Sequence, residues 1–153
     1  MIKVNVLSEE NSWSKRLNGK EKFFNKVCKF FPEKFKFTNK KVYLTLLLSN
    51  NKKIKILNKK FRNKDKHTDI LSFPFKQKTK NQKEIYLGDI IISYNYINKP
   101  KYQGKKEFKK KTIKIFIHGF LHLLGFDHIN FKGYKKMLNY EQKILKSVEK
   151  LLN

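Results

Sequence analysis

HGFLHLLGFDH, residues 118–128, holds three of the four histidines of a 153-residue chain, and its reading decides both the fold and the chemistry expected. Apolar residues recur at helical spacing before it, so the stretch predicts a helix over 105–124 with the first two histidines near its end. His118 and His122 are four residues apart, about 6 Å along a helix axis and about 40° around it, so both rings can converge on one ion. On an unbroken helix His128 would lie about 240° around from His122. The helix must therefore stop, and Gly125 stands where a left-handed cap can reverse the chain and return His128 to the other two.

Three neutral imidazoles with a fourth position left for water form a catalytic zinc arrangement, whereas structural zinc is usually closed by four protein ligands, mostly cysteine. Cys28 is the single cysteine, which excludes a Cys-rich structural site. The expectation is one Zn²⁺ on His118, His122 and His128. The spacing also matches the metzincin peptidases, HExxHxxGxxH, which makes a zinc peptidase the alternative hydrolase. Where those enzymes carry the glutamate that activates water, this chain has Gly119, which cannot take a proton. The general base must be another group or the substrate itself.

Outward from this stretch, hydrophobic periodicity alternates between two values. Ile2, Val4 and Val6 read as a half-buried strand, and Trp13 to Phe31 as a helical stretch stopped by Pro32. Lys41 to Leu48 is a buried strand, followed by a helix carrying Ile54, Leu57 and Phe61 that Ser49 or Asn50 can cap. Asp69 to Phe73 is a short strand ended by Pro74, and residues 76–83 are a polar loop. Ile85 to Tyr94 is a strand whose isoleucines suit a central position, with a bulge or turn at Gly88 and Asp89. Helices over 105–124 and 132–152 complete the chain. The fold class is α+β or mixed α/β: one domain over 1–153, a sheet of about four strands with helices, and the zinc site on a C-terminal-half helix and the turn after it.

Thirty-seven Lys+Arg against twelve Asp+Glu give a formal charge of +25, which favours a polyanionic partner. About half of that excess is assigned to an AT-rich coding bias, since alanine is absent and arginine occurs only at 16 and 62. The lysine clusters 52–60, 76–83 and 105–111 can track a nucleic-acid backbone, although most such runs are solvated faces. Phe73 and Phe75 suit either base stacking or a core. No apolar run approaches the length of a bilayer span, the N-terminus has no signal-peptide pattern, and the lone cysteine gives no sign of an oxidising compartment, so a cytoplasmic protein without membrane partners is expected.

The motif resembles the signature of the YbeY family of bacterial endoribonucleases, HGxLHLxGYDH, with Phe126 at the usual tyrosine. LNKKFRNKDKHTDILSFPF over 57–75 is similar to that family's LN..YR..D.PTDVLSFP, LGDIIIS over 87–93 to its LGDI.IS, and Met137 with Glu141 to an M...E spacing. Phe61 departs from a tyrosine, His67 from a proline, and Ile129, Asn130 and Phe131 from acidic residues that often follow the DH pair. The resemblance implies a metal-dependent RNase that prefers single strands and acts in maturation of the 16S ribosomal RNA 3′ end and in ribosome quality control. Its partners would be single-stranded RNA, small-subunit ribosomal RNA and the ribosome. A ribosome-associated RNA-binding factor without catalysis is the other alternative.

Arg62, at the motif arginine, is the candidate catalytic residue: its planar fork fits two phosphate oxygens and can stabilise transition-state charge. The competing reading pairs it with Asp65 or Asp69. Asp127 can orient a histidine or cap a turn, and Asp69 caps or pairs. His67 reads as an exposed loop residue and Cys28 as packing.

Overall fold

The two periodicities resolve into alternating elements. The computed structural model describes residues 1–76 and 82–153. Along the described residues run β1 (Ile2–Ser8), α1 (Ser12–Arg16), α2 (Lys20–Lys29), β2 (Lys41–Ser49), α3 (Asn51–Arg62), β3 (Ile70–Pro74), β4 (Glu84–Ser93), α4 (Tyr94–Ile97), α5 (Lys105–Leu123) and α6 (Phe131–Val148). The strands form one mixed sheet in the order β1-β2-β4-β3. β1, β2 and β4 are mutually parallel, and β3 lies antiparallel to β4 as an edge. Parallel neighbours need long crossovers, which the helices between β1 and β2 and the α3–β3 segment between β2 and β4 supply. The central place of β4 follows its Ile90–Ile91–Ile92 run, buried on both faces. The architecture is α+β, as expected.

The two faces of the sheet are covered unequally. On one, Val4, Leu44, Leu46, Ile90 and Ile92 pack beneath Trp13, Phe24, Phe108, Phe116 and Phe120 in the main core. On the other, α3 lays Ile54 against Leu71 and Ile91 in a much smaller cluster. Ring pairs such as Phe24 with Phe116 and Phe31 with Phe120, each 5.0 Å between centroids, join α2 and its C-terminal turn to α5. α5 is thereby pinned between helices and sheet.

Several boundaries differ from the sequence reading. The helical stretch after β1 is broken: Gly19 takes φ +58° and separates α1 from α2. The break lets Trp13 turn inward, where its indole N–H donates to the Ser49 carbonyl at 3.0 Å. Asn50, not Ser49, caps α3, its side chain accepting from the Lys53 amide at 2.9 Å. Pro74 remains in the sheet opposite Gly88, tolerated because β3 is an edge and this is its last residue. The short α4 was not expected. The bulge was: pairing passes from Tyr43–Tyr86 to Thr45–Asp89, so β4 carries one residue more than β2. Gly88 sits there at φ +131°, and a Cβ would lie 2.1 Å from the Phe73 carbonyl oxygen. Of the 76–83 loop, residues 77–81 fall outside the described residues. No described helix is long and apolar enough to cross a membrane.

Candidate functional site

The end of α5 is built as its sequence predicts. Gly125 adopts φ +92° and donates to the His122 carbonyl at 3.0 Å, while the Phe126 amide reaches the Leu121 carbonyl at 3.1 Å. This pair of bonds is a Schellman cap, which satisfies carbonyls of the last turn and reverses the chain. The reversal carries His128 back over the helix end. One ring nitrogen from each of His118, His122 and His128 falls within 4.8 Å of the others. Ring centroids are 4.6, 5.6 and 5.2 Å apart for the pairs 118–122, 118–128 and 122–128.

The hydrogen bonds around the rings test whether this cluster fits a metal. His118 Nδ1 donates to Glu141 Oε1 at 2.5 Å and His122 Nδ1 to the Phe126 carbonyl at 2.9 Å. A carboxylate and a peptide carbonyl are acceptors, so the neutral form of each ring that these bonds favour carries its proton on Nδ1 and offers a lone pair at Nε2. Those two Nε2 atoms face each other at 3.1 Å. Two lone pairs so placed repel unless a cation lies between them. Two nitrogens on one tetrahedral zinc, at about 2.0–2.1 Å each, stand about 3.3 Å apart, close to the observed spacing. The donor set fits: the three imidazoles can hold one metal ion, with Glu141 and Phe126 orienting two of them from behind. Burial, followed by the neighbouring His118 and His128, keeps the His122 pKa below the usual histidine range, which favours its neutral form.

Gly119 has a second role that its lack of a proton acceptor did not reveal. It lies buried where α5 crosses β3 and β4, and a Cβ there would stand 2.6 Å from Ile70 Cδ1, 3.1 Å from Ile90 Cγ2 and 3.1 Å from the buried Ser72 Oγ. The glycine is what lets the helix approach the edge strand so closely. A peptidase-type glutamate in this position would have to displace Ile70 and crowd Ile90 and Ser72.

Arg62 ends α3 and lines the same cleft of about 680 Å³ as the three histidines. Neither suggested partner takes it. Asp65 pairs with Lys55 at 3.9 Å and Lys59 at 3.6 Å, and Asp69 accepts from the Ile70 amide at 2.8 Å and the Thr68 hydroxyl at 3.0 Å. Among the described residues Arg62 has no ion pair, so its guanidinium stands exposed at the cleft wall. Asp127 caps the turn, accepting from the Ile129 amide at 3.3 Å. His67 is exposed on the connector and outside the histidine cluster, and Cys28 is buried, which pushes its thiol pKa up. The residue whose role sequence reasoning missed is Glu141. The signal was there in part: it is the single acid of α6, in a helix otherwise rich in lysine.

A sequence model of the family described as Endoribonuclease YbeY matches residues 6–149. The Endoribonuclease YbeY of Pelagibacter ubique is 58% identical over 149 residues, covering 97% of both chains. That of Mycoplasmopsis pulmonis is 35% identical over 150 residues, again 97% of both. The solution structure of TM1509 from Thermotoga maritima superposes with a TM-score of 0.56 at 24% identity, covering 97% of this chain and 89% of that one, a likeness of fold. The sequence match runs through every element that builds the cleft, from β2 to α6, and on it the chain belongs to the YbeY family of endoribonucleases.

Proposed function

We propose that this chain is a zinc-dependent endoribonuclease for single-stranded RNA, working in the cytoplasm on the 3′ end of small-subunit ribosomal RNA and in ribosome quality control, with residues 1–153 acting as one catalytic domain. The observation that carries the reading is the convergence of three imidazoles, two with Nε2 atoms 3.1 Å apart, in the cleft that Arg62 lines. Family membership supports RNA as the substrate, and the resemblance of the motifs supports the ribosomal role.

His118, His122 and His128 would hold the ion. Zinc, when bound, is a Lewis acid that polarises a phosphodiester oxygen. The chain's own residues do the rest. Glu141 and the Phe126 carbonyl fix the tautomer and direction of two rings, so the nitrogens are aimed before the ion arrives. Arg62 takes phosphate oxygens in its fork and stabilises the charge that develops on them. Gly119 keeps a carboxylate out of the peptidase position, which argues against the peptidase reading on steric as well as chemical grounds.

The test is a cleavage assay with matched single- and double-stranded RNA, with and without a chelator. Cleavage of the single strand alone, abolished by the chelator and in His118→Ala and strongly reduced in Arg62→Ala, is expected. Cleavage indifferent to chelator and to both substitutions rejects the mechanism. RNA binding with metal retained and no cleavage would favour the non-catalytic factor, and cleavage of unstructured protein with RNA spared would favour the peptidase.

A further inference from the structure

The chain leaves the metal cleft along an unusual surface. Ile129, which lines the cleft, is 88% exposed, and Phe131 and Tyr134 on the first turns of α6 are 72% and 50% exposed. Large apolar side chains exposed singly are ordinary, but grouped beside a cleft they mark a binding surface. They stand among Lys132, Lys135 and Lys136, and residues 129–140 contain no acid. Lys135 Nζ sits 4.7 Å above the Phe131 ring and Lys136 Nζ 5.6 Å from the ring of Phe126, itself a wall of the cleft. Tyr134 precedes Glu141 by seven residues, two turns of helix, so it lies on the stripe of α6 that reaches His118. The surface therefore joins the cleft at Ile129, carries lysines with no acid from 129 to 140, and is studded with accessible rings. Aromatic planes for bases and cations for phosphates are what an unpaired nucleic-acid strand requires.

We infer that the 129–136 surface is a binding track for unpaired nucleotides flanking the scissile phosphate, with bases stacking on Phe131 and Tyr134 and phosphates meeting Lys132 and Lys135. The inference rests on the ribonuclease reading for its substrate, yet it concerns binding outside the metal cleft. Because the rings are exposed and carry no core packing, their removal leaves the fold intact.

The experiment measures binding and turnover separately. Binding of a 2-aminopurine-labelled single-stranded RNA of about a dozen nucleotides to the metal-loaded protein is followed by stopped-flow base fluorescence, before turnover. Phe131→Ala/Tyr134→Ala is expected to weaken binding at least about tenfold and to relieve the quenching that stacking produces. Lys132→Gln/Lys135→Gln is expected to lower the slope of log affinity against log salt by about 0.7 per lysine while leaving the quenching in place. In turnover, the aromatic variant should raise KM for the long RNA at unchanged kcat and leave a tetranucleotide unaffected. Unchanged affinity and quenching in the aromatic variant overturn the track. If a concentration-dependent dimer of the wild type is lost in that variant while RNA binding persists, the patch is an interface with a second copy of the chain and the track is likewise overturned. If the wild type binds and quenches as stated but never cleaves RNA, the catalytic reading fails and the track stands.

Discussion

His118 and His122 ride the last turns of a nineteen-residue helix that is ringed by buried aromatics and pressed against the sheet, whereas Arg62, on the facing wall of the same cleft, ends a helix whose own apolar cluster is small and whose tip is exposed. On the histidine wall the Nδ1 atoms of His118 and His122 are engaged, by Glu141 and by the Phe126 carbonyl. On the arginine wall no described residue pairs with the guanidinium. The contrast teaches which parts of the chemistry need fixed geometry. On the proposed function, coordination would tolerate little displacement of its nitrogens, which suits a wall built from packing, whereas phosphate capture would suit a long side chain that adapts as the strand arrives.

Four substitutions sharpen or break this contrast. The largest effect is expected for His122→Ala, where metal content by elemental analysis and RNA cleavage should fall together to background; cleavage persisting without metal would dissolve the distinction between the walls. Next, Arg62→Ala should lower kcat by about 10²–10³-fold while metal content and melting temperature hold. A loss of metal in that variant would mean that the two walls are not independent. Glu141→Gln keeps the shape of the side chain but loses its charge, and is expected to weaken metal affinity about 10–100-fold, read by competition with a chromophoric chelator. Finally, Gly119→Ala should cost about 1–2 kcal/mol in urea unfolding, because the nearest obstacle is the movable tip of Ile70. A wholly neutral result would remove the close approach of helix and strand as the source of rigidity.

The histidine wall was also the more legible of the two in the sequence. Its determinants are local: the spacing of His118 and His122 and the cap at Gly125 lie within one helix end, where residue periodicity translates directly into geometry. Strand positions and the mixed α+β class were readable for the same reason. What lay hidden depends on distant partners. Glu141 meets His118 across 23 residues, and spacing along a single helix cannot announce that contact. The crowding at Gly119 involves Ile70, Ser72 and Ile90 from two other strands. The break at Gly19 accompanies a contact made far along the chain, the Trp13 indole on the Ser49 carbonyl. For Arg62 the sequence left two readings open, and only the structure shows Asp65 and Asp69 engaged with other described residues.

The seating of α5 on Gly119 has a consequence for how the chain can vary. With its backbone lodged against the edge strand, the helix has a single azimuth at the cleft, and one residue inserted between Phe108 and Ile117 would turn the Phe108 end about 100° relative to the Gly119 seat, so the buried packing of Phe108 and the aim of the imidazoles could not both be kept. The letters along this helix are open to exchange wherever they face solvent, but their number is fixed, so length polymorphism must be accommodated in the connectors.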